Sequence, residues 1–338
     1  MDLRQFVGTF LGMSLALILN ASAAHAMETP GSQDFQQGCR YYAGDGLPAN
    51  YLKAAEHFAA AAKAGNLHAR YMMALLSKRG DGVARDEVTA RAHFLTLVEP
   101  MRRAAAEGDV VAQRMLALMY QDGDGVDHNL EQARQYFSLA AGQGDSHSQL
   151  QLARYYARGM GVKPDGPLAQ RWYEQAASRG NADAQFELAL FLLQGEPTLA
   201  EREQALGWLA AAARQRCPGV HAIPPKFDLR VMLEDTGREG RLAPGEEGRV
   251  HIFLKNLGGP ARDVRLFIER STPEVCADSE QGRPLGDLLP GEWVESVLPI
   301  RLPVDLKGPA DIQFQTVITE ARAEFETRPV MVLHWGDE

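Results

Sequence analysis

The 338-residue chain carries 44 acidic and 35 basic side chains, a formal net charge of −9, and 45% hydrophobic residues. This acidic balance argues against nucleic acid or an anionic membrane surface as a partner, and the length allows two domains with separate cores. Cys39, Cys217 and Cys276 are too few for a disulfide framework; Cys217 and Cys276 are compatible with one bridge between the halves or with inert thiols.

The chain opens with Arg4 ahead of an apolar run from Phe6 to Leu19, then Ala24-His25-Ala26. Charge, apolar core and small residues in that order predict a cleavable signal peptide over residues 1–26 and a mature protein that is periplasmic or secreted. The run is shorter than the ~20 residues of a membrane span, and no later stretch reaches that length, so no span is expected after cleavage.

A loop pattern then recurs at Gly44, Gly80, Gly123, Gly159 and, in degenerate form, Gly195, in steps of 36, 43, 36 and 36 residues. A fixed period in this range predicts a helical solenoid of about five helix pairs, in which each repeat buries its apolar face against its neighbours. Ahead of the glycines, Met73-Ala74, Leu116-Ala117, Leu152-Ala153 and Leu188-Ala189, with Tyr41, Tyr120 and Tyr156 nearer the turn, share one helical face and define helix A. The glycines suit left-handed C-terminal caps. Asn50, Asp86, Asn129 and Asp165 are expected to cap helix B; Asn66, Asp109, Asp145 and Asn181 are expected to cap the following helix A.

Counted forward from the glycines, His57, His93, Tyr136, Trp172 and Trp208 share one slot on helix B. The slot assigns both histidines a packing role at the core or its boundary rather than a catalytic one. The 43-residue step adds seven residues, read here between Leu97 and Ala104, with Pro100 expected to kink the helix. The stretch Asp122-Gly123-Asp124-Gly125 resembles the start of a calcium loop, but Val126, Asp127 and Ala133 occupy the fifth-ligand, glycine and bidentate-glutamate positions. No metal site and no cofactor are expected.

The phased pattern L-A-x-x-Y-x-x-G-x-G-V followed by A-x-x-W/Y-Y/F-x-x-A-A-x-x-G resembles the Sel1-like repeat, a relative of the tetratricopeptide repeat, over residues 33–216. The resemblance implies a superhelix whose concave helix A face holds a protein or peptide. Carried onto this sequence, the groove positions of that family are Tyr71, Lys78, Arg79, Arg114, Gln121, Asp122, Arg154 and Arg158. Their basic excess suits a partner with an acidic segment.

Residues 217–225 break the helical pattern and read as a linker. Apolar alternation at Phe227 to Leu233, Val250 to Leu254 and Val264 to Ile268, with further candidates at 293–302, 310–319 and 324–335, predicts an all-β immunoglobulin-like sandwich over residues 226–336. Turns at 243–246, 256–260 and 289–292 separate these strands. The phrases HIFLKNLGGPARDVRLFIE and LGDLLPGEWVESVLPIRL resemble the CARDB-type module, which implies an extracytoplasmic accessory domain.

The chain therefore reads as a non-enzymatic periplasmic scaffold, multidomain, with an all-α solenoid followed by an all-β module. The second reading is a cell-wall or polysaccharide binder, for which no exposed aromatic row is evident. The third, a hydrolase built from distant residues, has no zinc spacing, nucleophile elbow or phosphate loop behind it.

Overall fold

A computed structural model describes residues 30–44, 49–215, 217–223, 225–235, 247–272, 283–301, 310–320, 323–325 and 331–335. The expected signal segment, Asp45-Gly46-Leu47 of the first loop, the turn at 243–246 and Cys276 lie outside these residues.

The helices alternate between A and B along the chain. The A helices are α1 (Ser32–Ala43), α3 (Leu67–Arg79), α5 (Val110–Asp122), α7 (Ser146–Arg158) and α9 (Ala182–Leu192). The B helices are α2 (Tyr51–Lys63), α4 (Glu87–Ala106), α6 (Leu130–Gly142), α8 (Gly166–Ser178) and α10 (Leu199–Arg214), and a short α11 (Pro218–His221) follows. Two compact units meet within α9, at Ala184 and Gln185.

Local chemistry sets the helix boundaries in the first unit. Asn50, Asp86, Asn129 and Asp165 accept from the backbone amides of Lys53, Thr89, Gln132 and Leu168 at the starts of the B helices, each at 3.0 Å. Asn66, Asp109, Asp145 and Asn181 do the same for Ala69, Ala112, Ser148 and Ala184 at the starts of the A helices. Each such bond satisfies an amide that has no partner within its helix. At the other end, Gly44, Gly80, Gly123 and Gly159 take left-handed φ values of 70–83° and return their amides to the last turn. Consecutive helices pack on one another, with Phe58, Phe94, Met115, Phe137 and Tyr155 essentially inaccessible to solvent.

The seven added residues lie upstream of the expected place. A methyl group at Gly82 would meet the backbone of Tyr51, one at Gly125 that of Phe94, and one at Gly161 the side chain of Leu130. Tyr51, Phe94 and Leu130 each stand fourteen residues before the glycine that ends their helix B, at Gly65, Gly108 and Gly144. Measured from that end, α4 is in register with α2 and α6, and the addition is two extra turns at its N-terminal end, around Glu87–His93. The aromatic slot is therefore filled by Pro100, beside buried Met101, rather than by His93, which is exposed. His57 keeps the role expected of it, half-buried and stacked on Tyr41 at 5.5 Å, as Tyr136 stacks on Tyr120 at 5.8 Å. In the second repeat Ser77 replaces the tyrosine, so no ring waits for an aromatic there. Helix α4 continues through Pro100 from Glu87 to Ala106.

In the second unit, the segment read as a linker holds α11, with Val220 fully buried and Gly219 against the ring of Phe186. Strands β1 (Phe227–Asp235), β2 (Glu247–Asn256) and β5 (Trp293–Arg301) form one antiparallel sheet in the order β1-β2-β5. Strands β3 (Ala261–Thr272), β4 (Arg283–Leu288), β6 (Ala310–Glu320), β7 (Ala323–Phe325) and β8 (Met331–Trp335) form the other, in which β4-β3-β6-β7 are neighbours and β8 also pairs β6. Along β2, Val250, Ile252 and Leu254 are buried, as alternation predicts. Two small antiparallel sheets are thus present.

Candidate interaction surface

The A helices position every residue assigned to the groove, and the structure divides those residues into two groups. One group lies inside the stack. Tyr71 is buried with its ring edge-on to Phe94 at 5.6 Å. Arg114 is also buried, ion-paired with the buried carboxylate of Asp145. Burial alone would raise the Asp145 carboxyl; the Arg114 charge, the His147 ring and the Ser148 amide outweigh it and hold that group below the usual carboxylate range. Gln121 is half-buried and accepts from the Tyr155 hydroxyl at 3.1 Å, and Arg154 is half-buried.

The other group lies at the rim. Arg79, Asp122 and Arg158 are exposed, and each immediately precedes the cap glycine of its A helix. Equivalent positions in successive repeats make this an ordered row of plus, minus and plus. Lys78 sits one residue earlier, half-exposed, and its ammonium donates to both carboxylate oxygens of Asp124 at 2.7 and 2.8 Å.

That contact exposes a use for the loop aspartates that the turn reading misses. The residue two before a cap glycine meets the residue one after the next cap glycine: the Tyr42 hydroxyl donates to Asp81 at 3.0 Å, and Lys78 donates to Asp124. In the next pair, Gln121 stands opposite Met160 in register, so the carboxylate disappears where the hydroxyl or ammonium does. The pairing was present in the sequence as a correlation between positions one repeat apart. Because Lys78 is more than a third exposed, its tie is screened by solvent. Asp124→Met, which copies the following repeat, is expected to cost only about 0.5–1 kcal/mol and to lower the thermal midpoint by about 1–3 °C, measured by circular dichroism.

Deeper ties join the repeats at the caps of the A helices. His68 Nε2 lies 2.9 Å from Asp109 Oδ2, and Gln143 donates to Gln113 Oε1 at 2.8 Å while Gln113 donates to the Ala105 carbonyl at 3.0 Å. Burial would raise the Asp109 carboxyl, but His68 and the Ala112 and Val111 amides outweigh it and leave that group low. Among the described residues no group of three or more His, Cys, Asp and Glu side chains could hold a metal ion, and no helix is long and apolar enough to cross a membrane. On the first sheet of the second unit, Trp293 is 44% exposed, with the Arg230 guanidinium 5.2 Å and the Lys255 ammonium 5.3 Å from its ring centroid. Those cations compete with a sugar for its π face.

The family model for the Sel1 repeat matches residues 38–66, 67–96, 110–145, 146–181 and 182–217. The unmatched stretch 97–109 covers the C-terminal half of α4 and the cap that follows it. A protective antigen of uropathogenic Escherichia coli strains, displaying an SLR fold, is 32% identical over 55% of this chain, with a TM-score of 0.37. The alignment covers 38% of the antigen's own length. A Sel1 repeat protein from Oxalobacter formigenes is 27% identical over 56% of this chain and 75% of its own, with a TM-score of 0.41. An immunity protein from Pseudomonas aeruginosa is 17% identical over 54% of this chain and 81% of its own, with a TM-score of 0.37. No curated protein matches the chain.

Proposed function

We propose that this chain, which belongs to the Sel1 repeat family over residues 38–96 and 110–217, is a non-enzymatic periplasmic scaffold that docks a protein segment along the rim formed by Arg79, Asp122 and Arg158. Sel1 repeat proteins generally mediate protein–protein interaction, and the family is generally non-enzymatic. The observation that carries the reading is the exposed charge at one repeated position, where neighbouring groove residues are committed to packing. A complementary segment carries two acidic side chains with a basic one between them, which sharpens the simpler expectation of an acidic partner. The signal-like opening supports export, and the strand and turn pattern after residue 225 supports an immunoglobulin-like, CARDB-type accessory module.

In vivo crosslinking and mass spectrometry with the Arg79→Ala/Asp122→Ala/Arg158→Ala variant test the reading. Loss of the partner captured by the wild type, with an unchanged thermal midpoint, is the expected result. An unchanged set of partners overturns the rim assignment. Sedimentation with isolated peptidoglycan tests the competing glycan reading, and no retention is expected because exposed Trp293 is flanked by cations.

A further inference from the structure

One histidine register occurs twice on the A helices. Two residues after the cap stand His68 on α3 and His147 on α7. His68 reaches the cap carboxylate of the next A helix, Asp109, at 2.9 Å. The same step along the repeat leads from His147 to Asn181: the first pair is 41 residues apart and the second 34, the difference being the seven added residues of α4. Asn181 offers an amide where Asp109 offers a carboxylate. Its Oδ1 is taken by the Ala184 amide, and its Nδ2 is buried without an acceptor. Both ring nitrogens of His147 are likewise buried without a hydrogen-bond partner, as is Ser148 Oγ beside it.

The charges acting on the His147 ring come from Arg114 of α5 and from Asp145 and Arg154 of α7 and its cap, two cations against one anion. None from α6, α8 or α9 is among them within the described residues. We propose that this joint is an acid-sensitive latch: a proton taken up by His147 puts a second cation beside Arg114 in a buried, unpartnered site, and the N-terminal turn of α7 opens to hydrate it. The equivalent joint at His68 stays closed because Asp109 receives the charge.

The direction of the pH dependence follows from the same geometry. Burial first, then Arg114, pushes the imidazole down from 6.5 to about 3. A group held below its unfolded value contributes stability that is complete above that value and lost as the pH falls toward the folded one. The window is therefore pH 6.5 down to about 3. Asp109 and Asp145, both held low, stay ionised through most of it.

Amide hydrogen exchange on the full chain between pH 7 and 4, corrected for intrinsic rates, provides the test. Protection of the first turn of α7 is expected to fall by nearly tenfold per pH unit below 6.5, while that of α3 holds. Asn181→Asp installs the His68–Asp109 arrangement; it is expected to abolish the acid loss and raise the His147 titration seen by NMR. His147→Leu is expected to abolish the loss as well, and Asn181→Asp decides the matter if that variant does not fold. Equal acid loss in α3 and α7, a native His147 titrating near 6.5, or acid loss that persists in Asn181→Asp overturns the latch.

Discussion

Arg114→Ala is expected to destabilise the helical repeats by about 3–5 kcal/mol, the cost of leaving one partner of a buried ion pair uncompensated. The size follows from position. Both side chains are nearly inaccessible, and Asp145 also caps α7 through the Ser148 amide, so a stranded carboxylate damages a helix start as well as a joint. Burial then acts on Asp145 against the Ser148 amide and His147 alone, so its carboxyl is expected to rise from where Arg114 holds it. Arg114→Leu combined with Asp145→Asn keeps a capping oxygen, removes both charges and is expected to recover most of the loss. Urea unfolding of the wild type, the single variant and the double variant gives the comparison. A single-variant loss below about 1 kcal/mol would show that water reaches the pair.

Gly82→Ala is expected to cost about 3–4 kcal/mol, against about 1 kcal/mol for Gly108→Ala. Both glycines have positive φ values, 70° and 95°, so both substitutions carry backbone strain, and Gly82 not the greater of the two. They differ in what the new methyl meets. At Gly108 there is open space within 4 Å, whereas at Gly82 the methyl would lie 2.2 Å from the Tyr51 carbonyl oxygen and 2.3 Å from its carbon. Those atoms belong to the first turn of α2 and cannot rotate away as a side-chain end would, so the loop must lift off the previous repeat. Thermal unfolding of the paired variants separates the two effects; equal losses would mean that strain alone governs these loops.

The parts of the fold governed by chemistry within a few residues were legible. A cap acceptor three residues before its amide, and a glycine where the chain must turn left-handed, are local demands, and all eight predicted caps appear. Contacts one repeat away were not. Arg114 read as a groove cation because its own helix does not reveal that Asp145 arrives beneath it. The extra turns of α4 were misplaced because counting forward from Gly80 puts His93 in the aromatic slot, whereas packing is registered from the end at Gly108. Strand β4 was missed; it carries Pro284 and Gly286, which an edge strand tolerates but which leave it without apolar alternation. Within the candidate surface, sequence could not separate rim from interior.

The length of α4 shows how a repeat of this kind can grow. Seven residues turn a helix through nearly two full revolutions, so Phe94 and Met101 both remain on the buried face, and the neighbouring loop finds the same backbone it would have found on a shorter helix. An insertion of five would rotate everything upstream by about 140° and turn Ala90 toward water. Helix length here is quantised by phase: α4 can lengthen in steps of whole revolutions, each of which adds mostly exposed helix and leaves the neighbouring loop on the same stretch of backbone.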